Sequence, residues 1–337
     1  RSTRGRPHWL YSATASASIR ELARALDAEL ELASAPDVAR LVAATWATAC
    51  GGGKPPARKS MPARLGRYEL THELGKGAMG VVYQGRDPRI NREVAVKAIP
   101  LADEFDPEDL EQARTRFFRE AEMAGRLSHP HIVTIYDAGE DGGTAYIAME
   151  LLRGQHLVEY TSASRLLPTA VAIEIVARLA DALHYAHQNQ VVHRDIKPAN
   201  IMFDAPSGEL KITDFGIARL TDSGRTRTGV VLGTPSFMSP EQLQGRPVTG
   251  RSDLFSLAVS LYQLLTGQLP FRGDTMPGLM MKIALEPHPR ICAIHPGLPP
   301  GLDAFFDRAL AKDPAARYDS GASFAQALRD LNLPDKR

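Results

Sequence analysis

The sequence predicts an α+β fold in which a small antiparallel sheet with one helix precedes a larger, mainly helical part. Between Tyr68 and Lys97, strand-like segments alternate with turns that contain glycine. A single amphipathic helix follows from Asp106, and a pair of strands then ends near Leu152. Helical periodicity marks later segments, at 166–188, 252–266, 276–286, 302–312 and 320–331. Strands grouped before helices are typical of this fold class.

The composition indicates an ordinary globular protein. The 337 residues suit two or three compact units, and 44% of them are hydrophobic and 23% charged. A net charge of +1 argues against nucleic acid or acidic membranes as the main partners. With only Cys50 and Cys292, the chain has no disulfide framework and no cysteine-based zinc site, which fits a reducing cytoplasm.

The N-terminal region carries no catalytic constellation. Residues 1–50 are expected to be partly disordered and partly helical, because a basic stretch precedes apolar residues at helical spacing. Residues 51–66 have the composition of a basic Pro/Gly linker, and a tether is favoured over a regulatory or docking role. No apolar run reaches the roughly 20 residues that span a bilayer, so we expect no membrane segment in this chain. A start at Arg1 is consistent with a fragment of a longer protein, which leaves a membrane or sensor segment upstream open.

The first strands carry a G-x-G-x-x-G motif at Gly75, Gly77 and Gly80. Dinucleotide-binding folds share this motif, but there the last glycine opens a helix. Here Gly80 runs into the β-branched and aromatic residues 81–83, so the motif is predicted to form a hairpin turn. Lys97 ends the next alternating apolar strand, where a ligand role is favoured over a solvated face.

The helix that follows is predicted to begin at Asp106, where an N-cap residue, a proline and two acids stand together. Its apolar face comprises Ala113, Phe117, Ala121 and Ala124. Glu120 lies on the same face and is the expected partner of Lys97. His129 and His131 beyond the helix suggest a metal site, but a capped turn is favoured. The hairpin is expected over 132–136 and 144–152.

The polar loop 193–200 places Asp195, Lys197 and Asn200 between two short apolar segments. A polar loop with rigid flanks is how a scaffold holds catalytic groups in place. A second polar motif, residues 214–216, begins with Asp214 and follows another apolar segment.

These motifs resemble those of the protein-kinase superfamily, and most closely those of bacterial eukaryotic-like (Hanks-type) serine/threonine protein kinases. The octapeptide at 193–200, the D-F-G sequence at 214–216 and the S-P-E sequence at 239–241 carry the resemblance. It covers about residues 67–331. It implies a bilobal protein-kinase-like fold with a small lobe over 67–152, a large lobe over 153–331 and ATP in the cleft.

The resemblance also implies a role for each site residue. Asp195 would accept the proton of the attacking hydroxyl, and Lys197 would lie beside the transferred phosphate. Asn200 and Asp214 would hold Mg²⁺, with Mn²⁺ as an alternative. Lys97, oriented by Glu120, would pair with the α- and β-phosphates. The remaining expected ATP contacts are the glycine-rich turn (Leu74, Gly75, Lys76, Gly77, Ala78, Met79, Gly80), the apolar plates (Val82, Ala95, Met202) and the hinge (Met149, Glu150, Leu152).

The segment between the D-F-G and S-P-E motifs resembles an activation segment. Thr226 and Thr228 are the predicted phosphosites, and Arg194 and Arg219 would bind the phosphate. Neighbouring molecules would install it, which implies a transient homodimer. In the large lobe, Asp253 resembles the acid that holds the catalytic-loop backbone. Glu241 and Arg317 would form a buried ion pair, and Thr234 would bond to Asp195 and Lys197.

The resemblance therefore implies transfer of the ATP γ-phosphoryl group to Ser or Thr hydroxyls of protein substrates. Two alternative functions share part of this pattern. A pseudokinase typically lacks one of Lys97, Asp195 or Asp214, and all three are present. A small-molecule phosphotransferase would share the lobes and the acids, but the segment 234–241 argues against it because it builds a platform for peptide substrates.

Overall fold

The computed structural model describes residues 62–77, 80–215 and 235–331. Its small lobe is built on a six-stranded antiparallel sheet of order β1-β2-β3-β4-β6-β5. The strands are β1 (Arg64–Leu65), β2 (Tyr68–Gly77), β3 (Gly80–Asp87), β4 (Arg92–Ile99), β5 (Ile135–Asp141) and β6 (Thr144–Met149).

Two helices complete the small lobe between β4 and β5, namely α1 (Leu101–Glu104) and α2 (Pro107–Gly125). Asp106 occupies the N-cap position of α2 and Pro107 its first turn. The buried residues of α2 are Ala113, Phe117, Ala121 and Ala124, the four predicted from the apolar spacing. Ala113, Phe117 and Ala121 pack with Ile99, Ala145 and Ile147, so the helix covers the sheet at β4, the strand that carries Lys97, and at β6.

The large lobe is mainly helical. A three-stranded antiparallel sheet of order β7-β8-β9 lies at its start, and a core of apolar side chains fills its interior. Its elements are β7 (Gln155–His156), α3 (Thr169–Gln188), β8 (Ile201–Asp204), β9 (Glu209–Ile212), α4 (Pro240–Leu243), α5 (Gly250–Thr266), α6 (Met276–Leu285), α7 (Ile291–Ile294), α8 (Gly301–Ala309) and α9 (Gly321–Arg329).

Helix α5 lies at the centre of the large lobe, and nearly all of its side chains are buried. Thr249 caps its N-terminus in a capping box with Ser252, and Gly267 ends it with φ 71°, a left-handed conformation that glycine adopts without strain. An α-helix that is buried all round can support side chains on every face. This position lets α5 hold the catalytic loop and the S-P-E motif at the same time.

The two lobes are also joined by backbone pairing. The amide of Val133 donates to the carbonyl of Ile212 (2.9 Å), and the amide of Ile212 donates to the carbonyl of His131 (2.9 Å). The expected strand 132–136 therefore begins later than predicted, at Ile135, because its first residues pair with the large lobe instead of with β6.

The predicted fold class is confirmed, with a small antiparallel sheet followed by a mainly helical lobe. Within the residues that the structure describes, no helix combines the length and apolarity needed to cross a membrane. Residues 1–61, which include the predicted N-terminal segment and most of the linker, lie outside the described residues.

Candidate active site

The loop 193–200 brings its three polar side chains together. The Lys197 ammonium lies 2.8 Å from Oδ2 of Asp195, and Asn200 Nδ2 lies 2.9 Å from the same oxygen. Asn200 Nδ2 also donates to the backbone carbonyl of Asp195 (2.8 Å). Asp195 keeps about a third of its side chain exposed, at 37%, whereas Asn200 is buried. The carboxylate is thus held by two donors while it still faces solvent.

Asp253 on α5 fixes the backbone that leads into this loop. Its Oδ2 accepts from the amide of His193 (2.8 Å), and its Oδ1 accepts from the amide of Arg194 (2.7 Å). His187 Nε2 makes a third contact, at 2.8 Å from Oδ2. Burial would raise the pKa of the Asp253 carboxyl, but His187, His193 and the Arg194 amide hold it below its usual range.

Arg194 and Asp214 both adopt left-handed backbone conformations, with φ 71° and φ 63°. Such a conformation costs a non-glycine residue on the order of 1 kcal/mol, so the surrounding contacts must impose it. For Arg194, one of those contacts is the hydrogen bond that its amide donates to Asp253. Arg194, which precedes the predicted catalytic Asp195, and Asp214, a predicted metal ligand, therefore carry backbone strain. Contacts within the large lobe offset that strain.

His193 connects the catalytic loop to the segment before Asp214. Its Nδ1 accepts from the amide of Asp195 (3.2 Å), so the ring proton lies on Nε2, which donates to the carbonyl of Thr213 (2.8 Å). The buried ring packs edge-on against Phe215, with centroids 4.6 Å apart. Thr213 in turn donates to the carbonyl of Asn200 through its amide and its hydroxyl.

Lys97 lies on β4, opposite Val82 of β3 and Ile147 of β6, and is almost fully buried. Its ammonium lies 2.8 Å from Oδ1 of Asp214. Burial would raise the pKa of the Asp214 carboxyl, but the neighbouring Lys97 charge holds it below its usual value. The helical spacing predicts Glu120 as the partner of Lys97. The ion pair that Lys97 makes within the described residues is instead with Asp214, and the pair with Glu120 stays a prediction.

The glycines of the G-x-G-x-x-G motif differ in what they are needed for. Gly80 has φ 138°, and a Cβ built there would meet the Ala98 carbonyl oxygen at 2.0 Å, so the fold itself requires glycine. A Cβ on Gly75 or Gly77 meets no described atom within 4 Å. Packing within the described residues does not explain these two glycines, and the open space above them could admit a ligand. Ala78 and Met79 lie outside the described residues.

An apolar cluster lies beside this hairpin. Ala95, Val133 and Met149 are buried together, with Val82, Leu151 and Leu152 packed against them. This cluster contains four of the residues predicted to surround the adenine ring or to form the hinge. Met202 is half-buried on β8 of the large lobe, where it pairs with His156, and Leu74 is 46% exposed on β2.

The side chain of Glu150 connects the hinge to the large lobe. Its Oε2 accepts from the Thr134 amide (3.2 Å) and lies 2.9 Å from the ammonium of Lys211, which is buried on β9. The carboxylate is thus engaged, and the Glu150 amide donates to the Thr134 carbonyl (2.9 Å). Within the described residues, the carbonyl of Glu150 is therefore the backbone group that can accept from a nucleotide base. No motif or periodicity in the sequence predicts the contact between Glu150 and Lys211.

The predicted ion pair between Glu241 and Arg317 is confirmed. Both guanidinium NH groups donate to the carboxylate at 2.8 Å, and the two residues are 3% and 2% exposed. Ser252 of α5 adds a third donor, at 2.6 Å. Burial would raise the pKa of Glu241, but the bonds from Arg317 and Ser252 hold it below its usual value. The S-P-E motif is therefore fixed to the same helix as the catalytic loop.

The two histidines after α2 are engaged within the protein, as the capped-turn interpretation predicted. His129 Nδ1 accepts from the amide of His131 (3.1 Å), and His131 contacts the Leu210 carbonyl and Arg178 through its two ring nitrogens. Burial and Arg178 lower the pKa of His131. Four other residues of the prediction, Arg219, Thr226, Thr228 and Thr234, lie outside the described residues.

Comparison with known proteins gives the same assignment as the motifs. A profile of the protein kinase domain matches residues 68–329. The serine/threonine-protein kinase PrkC of Bacillus subtilis is 40% identical over 256 residues, which is 76% of this chain and 39% of that protein. The serine/threonine-protein kinase PknB of Mycobacterium tuberculosis is 42% identical over 269 residues, 78% of this chain and 42% of that protein. The chain thus spans about two-fifths of the length of these curated relatives.

Among solved structures, the crystal structure of the Mycobacterium tuberculosis PknI kinase domain is similar, with a TM-score of 0.66 and 33% identity. That match covers 80% of this chain and 99% of the PknI domain. The profile, the relatives and the solved structure all cover most of the chain, and the chain belongs to the protein kinase family.

Proposed function

We propose that this chain transfers the γ-phosphoryl group of ATP to Ser or Thr hydroxyls of proteins. The observation that carries the proposal is the Asp195 carboxylate. It is positioned by Lys197 and Asn200, mounted on a backbone that Asp253 holds, and still partly exposed. A carboxylate in this setting can accept a proton from a hydroxyl that approaches from solvent. The names of the relatives, both serine/threonine-protein kinases, support Ser and Thr as the acceptors.

In the proposed mechanism, catalysis comes mainly from positioning and charge. Asp195 orients the attacking hydroxyl and accepts its proton. Lys197, 2.8 Å from the same carboxylate, donates to the transferred phosphate. Lys97 binds the α- and β-phosphates, and Glu120 on α2 replaces Asp214 as its partner once nucleotide is present. Gly75 and Gly77 carry no side chain, so their backbone can approach the phosphates closely.

The residues present fit a divalent cation. Asn200 uses Nδ2 as a donor to Asp195, so its amide oxygen is the atom that would coordinate a metal. The carboxylate of Asp214 is a second hard oxygen ligand, and oxygen ligands suit Mg²⁺ or Mn²⁺. Such an ion would neutralise phosphate charge during transfer. We propose Mg²⁺ as the resident ion. Metal-dependent quenching of nucleotide fluorescence, compared between wild type and Asn200→Ala, tests the ligand set without an activity readout.

A transfer assay tests the main proposal. Radiolabelled ATP and a Ser/Thr peptide library are incubated with wild type, Asp195→Ala and the exposed-site control Asp274→Ala. We expect label on Ser or Thr with wild type and with the control, and loss of transfer with Asp195→Ala. ATP binding without any transfer by wild type would favour the pseudokinase. Label on small molecules but not on peptides would favour the other alternative.

Activation-segment phosphorylation is a further part of the proposal. Thr226 and Thr228 would be phosphorylated by a neighbouring molecule in a transient homodimer, and Arg194 and Arg219 would bind the added phosphate. Mixing the inactive Asp195→Ala protein with active enzyme separates transfer between molecules from transfer within one. Mass spectrometry that finds neither threonine modified on the inactive protein would refute this part. We also propose a cytoplasmic location for this chain.

A further inference from the structure

Gln242, the residue after Glu241, joins two parts of the molecule through one amide group. Its Oε1 accepts from the amide and from the hydroxyl of Ser239, both at 3.0 Å, in the capping box of α4. Its Nε2 donates to the backbone carbonyl of Arg194, 48 residues earlier in the chain, at 2.8 Å. The S-P-E motif is thereby bonded to the residue that precedes Asp195.

The orientation of this amide follows from its partners. Ser239 offers an N–H on one side, and Arg194 offers a carbonyl on the other. The reversed amide would place an NH₂ group against an N–H and an oxygen against a carbonyl oxygen, so only the observed orientation satisfies both contacts. The same side chain therefore caps a helix with one atom and holds the catalytic loop with the other.

The bond acts on the peptide unit that carries the amide of Asp195. A peptide unit is planar, so fixing both of its ends fixes its orientation. Here the carbonyl oxygen is held by Gln242, and the nitrogen of the same unit donates to His193 Nδ1 at 3.2 Å. On the preceding side, Asp253 holds the Arg194 amide at 2.7 Å. The left-handed φ of Arg194 is thus stabilised on both sides.

The residues next to Gln242 are held rigidly against α5. Glu241 is bonded to Arg317 and to Ser252 of α5, and Ser256 of α5 donates to the Phe237 carbonyl at 2.7 Å. Ser239 is fully buried. Because these residues are fixed to α5, Gln242 can restrain the loop rather than follow it.

We propose that Gln242 is a positioning residue that orients the Asp195 peptide for phosphoryl transfer, and that it does so separately from its role as a helix cap. The proposal rests on the proposed function for its effect on rate. The juxtaposition of the two roles in one amide group provides the test, because a substitution can remove one role and keep the other.

Gln242→Glu is that substitution. A glutamate of the same length still accepts from Ser239, and glutamate is favoured at this capping-box position. It has no N–H to donate to the Arg194 carbonyl, and its second oxygen faces that carbonyl oxygen instead. We expect a kcat about tenfold below wild type, the effect of losing roughly one hydrogen bond, with the KM for ATP unchanged. The lost hydrogen bond should lower the melting midpoint by about 2–4 °C, less than the loss of both roles in Gln242→Ala.

Two further variants complete the set. Gln242→Ala removes both roles, so we expect a similar fall in kcat together with a lower melting midpoint. Gln244→Ala, an exposed glutamine two residues on, is the matched control and should leave both quantities unchanged. All assays use the best acceptor peptide from the library and a temperature well below the lowest midpoint. Wild-type kcat in Gln242→Glu overturns the proposal, even if Gln242→Ala is unstable.

Amide hydrogen exchange provides a readout that does not need turnover. Faster exchange at residues 193–196 in Gln242→Glu than in Gln244→Ala is the expected result. If wild type transfers no label, the proposed function fails and exchange alone decides the positioning role. Equal exchange in the two variants would then overturn it.

Discussion

The floor of the cleft and the hairpin above it are built in opposite ways. In the floor, the polar groups that hold the catalytic loop are buried and bonded to one another, with Asp253 at 0% exposure and Glu241 at 3%. In the hairpin, β2 is exposed along most of its length, and a Cβ built on Gly75 or Gly77 would meet no described atom within 4 Å. Lys97 is the buried charge that the small lobe contributes to the cleft side.

The difference follows from what each region has to do. A group that moves a proton must stay within a few tenths of an ångström of its working position, so its support is buried and over-determined. A segment that covers a nucleotide must let it in and out, so buried contacts there would slow exchange. Stability should therefore depend mainly on the floor, and changes in the hairpin should affect activity without unfolding the protein.

The largest effect on stability is expected from Arg317→Ala. It leaves the buried Glu241 carboxylate without its bidentate partner, and breaking a buried pair from one side costs about 3–5 kcal/mol. The free energy of unfolding from denaturant titration measures this loss. Arg329→Ala is the control, because its ion pair with Asp181 is about 40% exposed on both sides and should contribute less than about 1 kcal/mol. Equal losses in the two variants would contradict the distinction between buried and exposed pairs.

Lys97→Met should separate activity from stability. Methionine keeps an apolar stem in the buried site but loses the charge, so we expect phosphoryl transfer to fall by about 10²–10³-fold, as for loss of one preorganised donor. Stability should change little, because Asp214 keeps partial access to solvent. Transfer rates and unfolding curves of this variant are compared with those of Lys282→Met on α6. Transfer near the wild-type rate would show that Lys97 does not bind the phosphates.

The two kinds of glycine in the hairpin give a smaller and sharper contrast. Gly80→Ala should destabilise the protein by about 1–3 kcal/mol, because a methyl group there overlaps the Ala98 carbonyl and φ is unfavourable. Gly77→Ala should leave stability unchanged and weaken ATP binding. Melting midpoints and ATP titrations of both variants provide the comparison. A destabilised Gly77→Ala with normal ATP affinity would reverse the assignment.

The smallest expected effect is the pH dependence of the floor. The pKa of Glu241 is lower in the folded protein than in the unfolded chain, so the unfolded state binds more protons in acid. The stabilisation is complete above the unfolded value and is lost as pH falls below about 4.5. Denaturant unfolding between pH 7 and pH 3 should show a shallower fall for Glu241→Gln than for wild type.

The sequence predicted most of what is local or periodic. The apolar face of α2 followed from its spacing, and the pair between Glu241 and Arg317 followed from the motifs. The start of α3 at Thr169, later than the predicted 166, reflects Pro168, which disfavours a helical conformation in the residue before it. The delayed start of β5 could not be predicted, because the residues before it pair with Ile212, about 80 positions away.

Polar contacts between residues that are far apart in the sequence could not be predicted. His187 precedes Asp253 by 66 residues, and Gln242 follows Arg194 by 48. Neither contact leaves a periodic signal, and each residue alone is compatible with a surface position. The partner of Lys97 illustrates a different limit. Sequence spacing identifies a set of charged groups in one site, but which pairs form depends on the state of the site, and here Asp214 is the partner.

The contacts between β9 and the segment before β5 have a mechanical consequence. The backbone bonds of Ile212 and the ion pair of Lys211 with Glu150 both lie on the hinge side of the molecule. Because the two lobes are joined along one edge, they can rotate about that edge but can hardly slide past each other. Small angular changes at the pivot become larger linear displacements at the glycine-rich tip. A substitution that removes one of these contacts, such as Lys211→Met, would let the lobes slide as well as rotate. The position of Lys97 relative to the catalytic loop would then be less well defined.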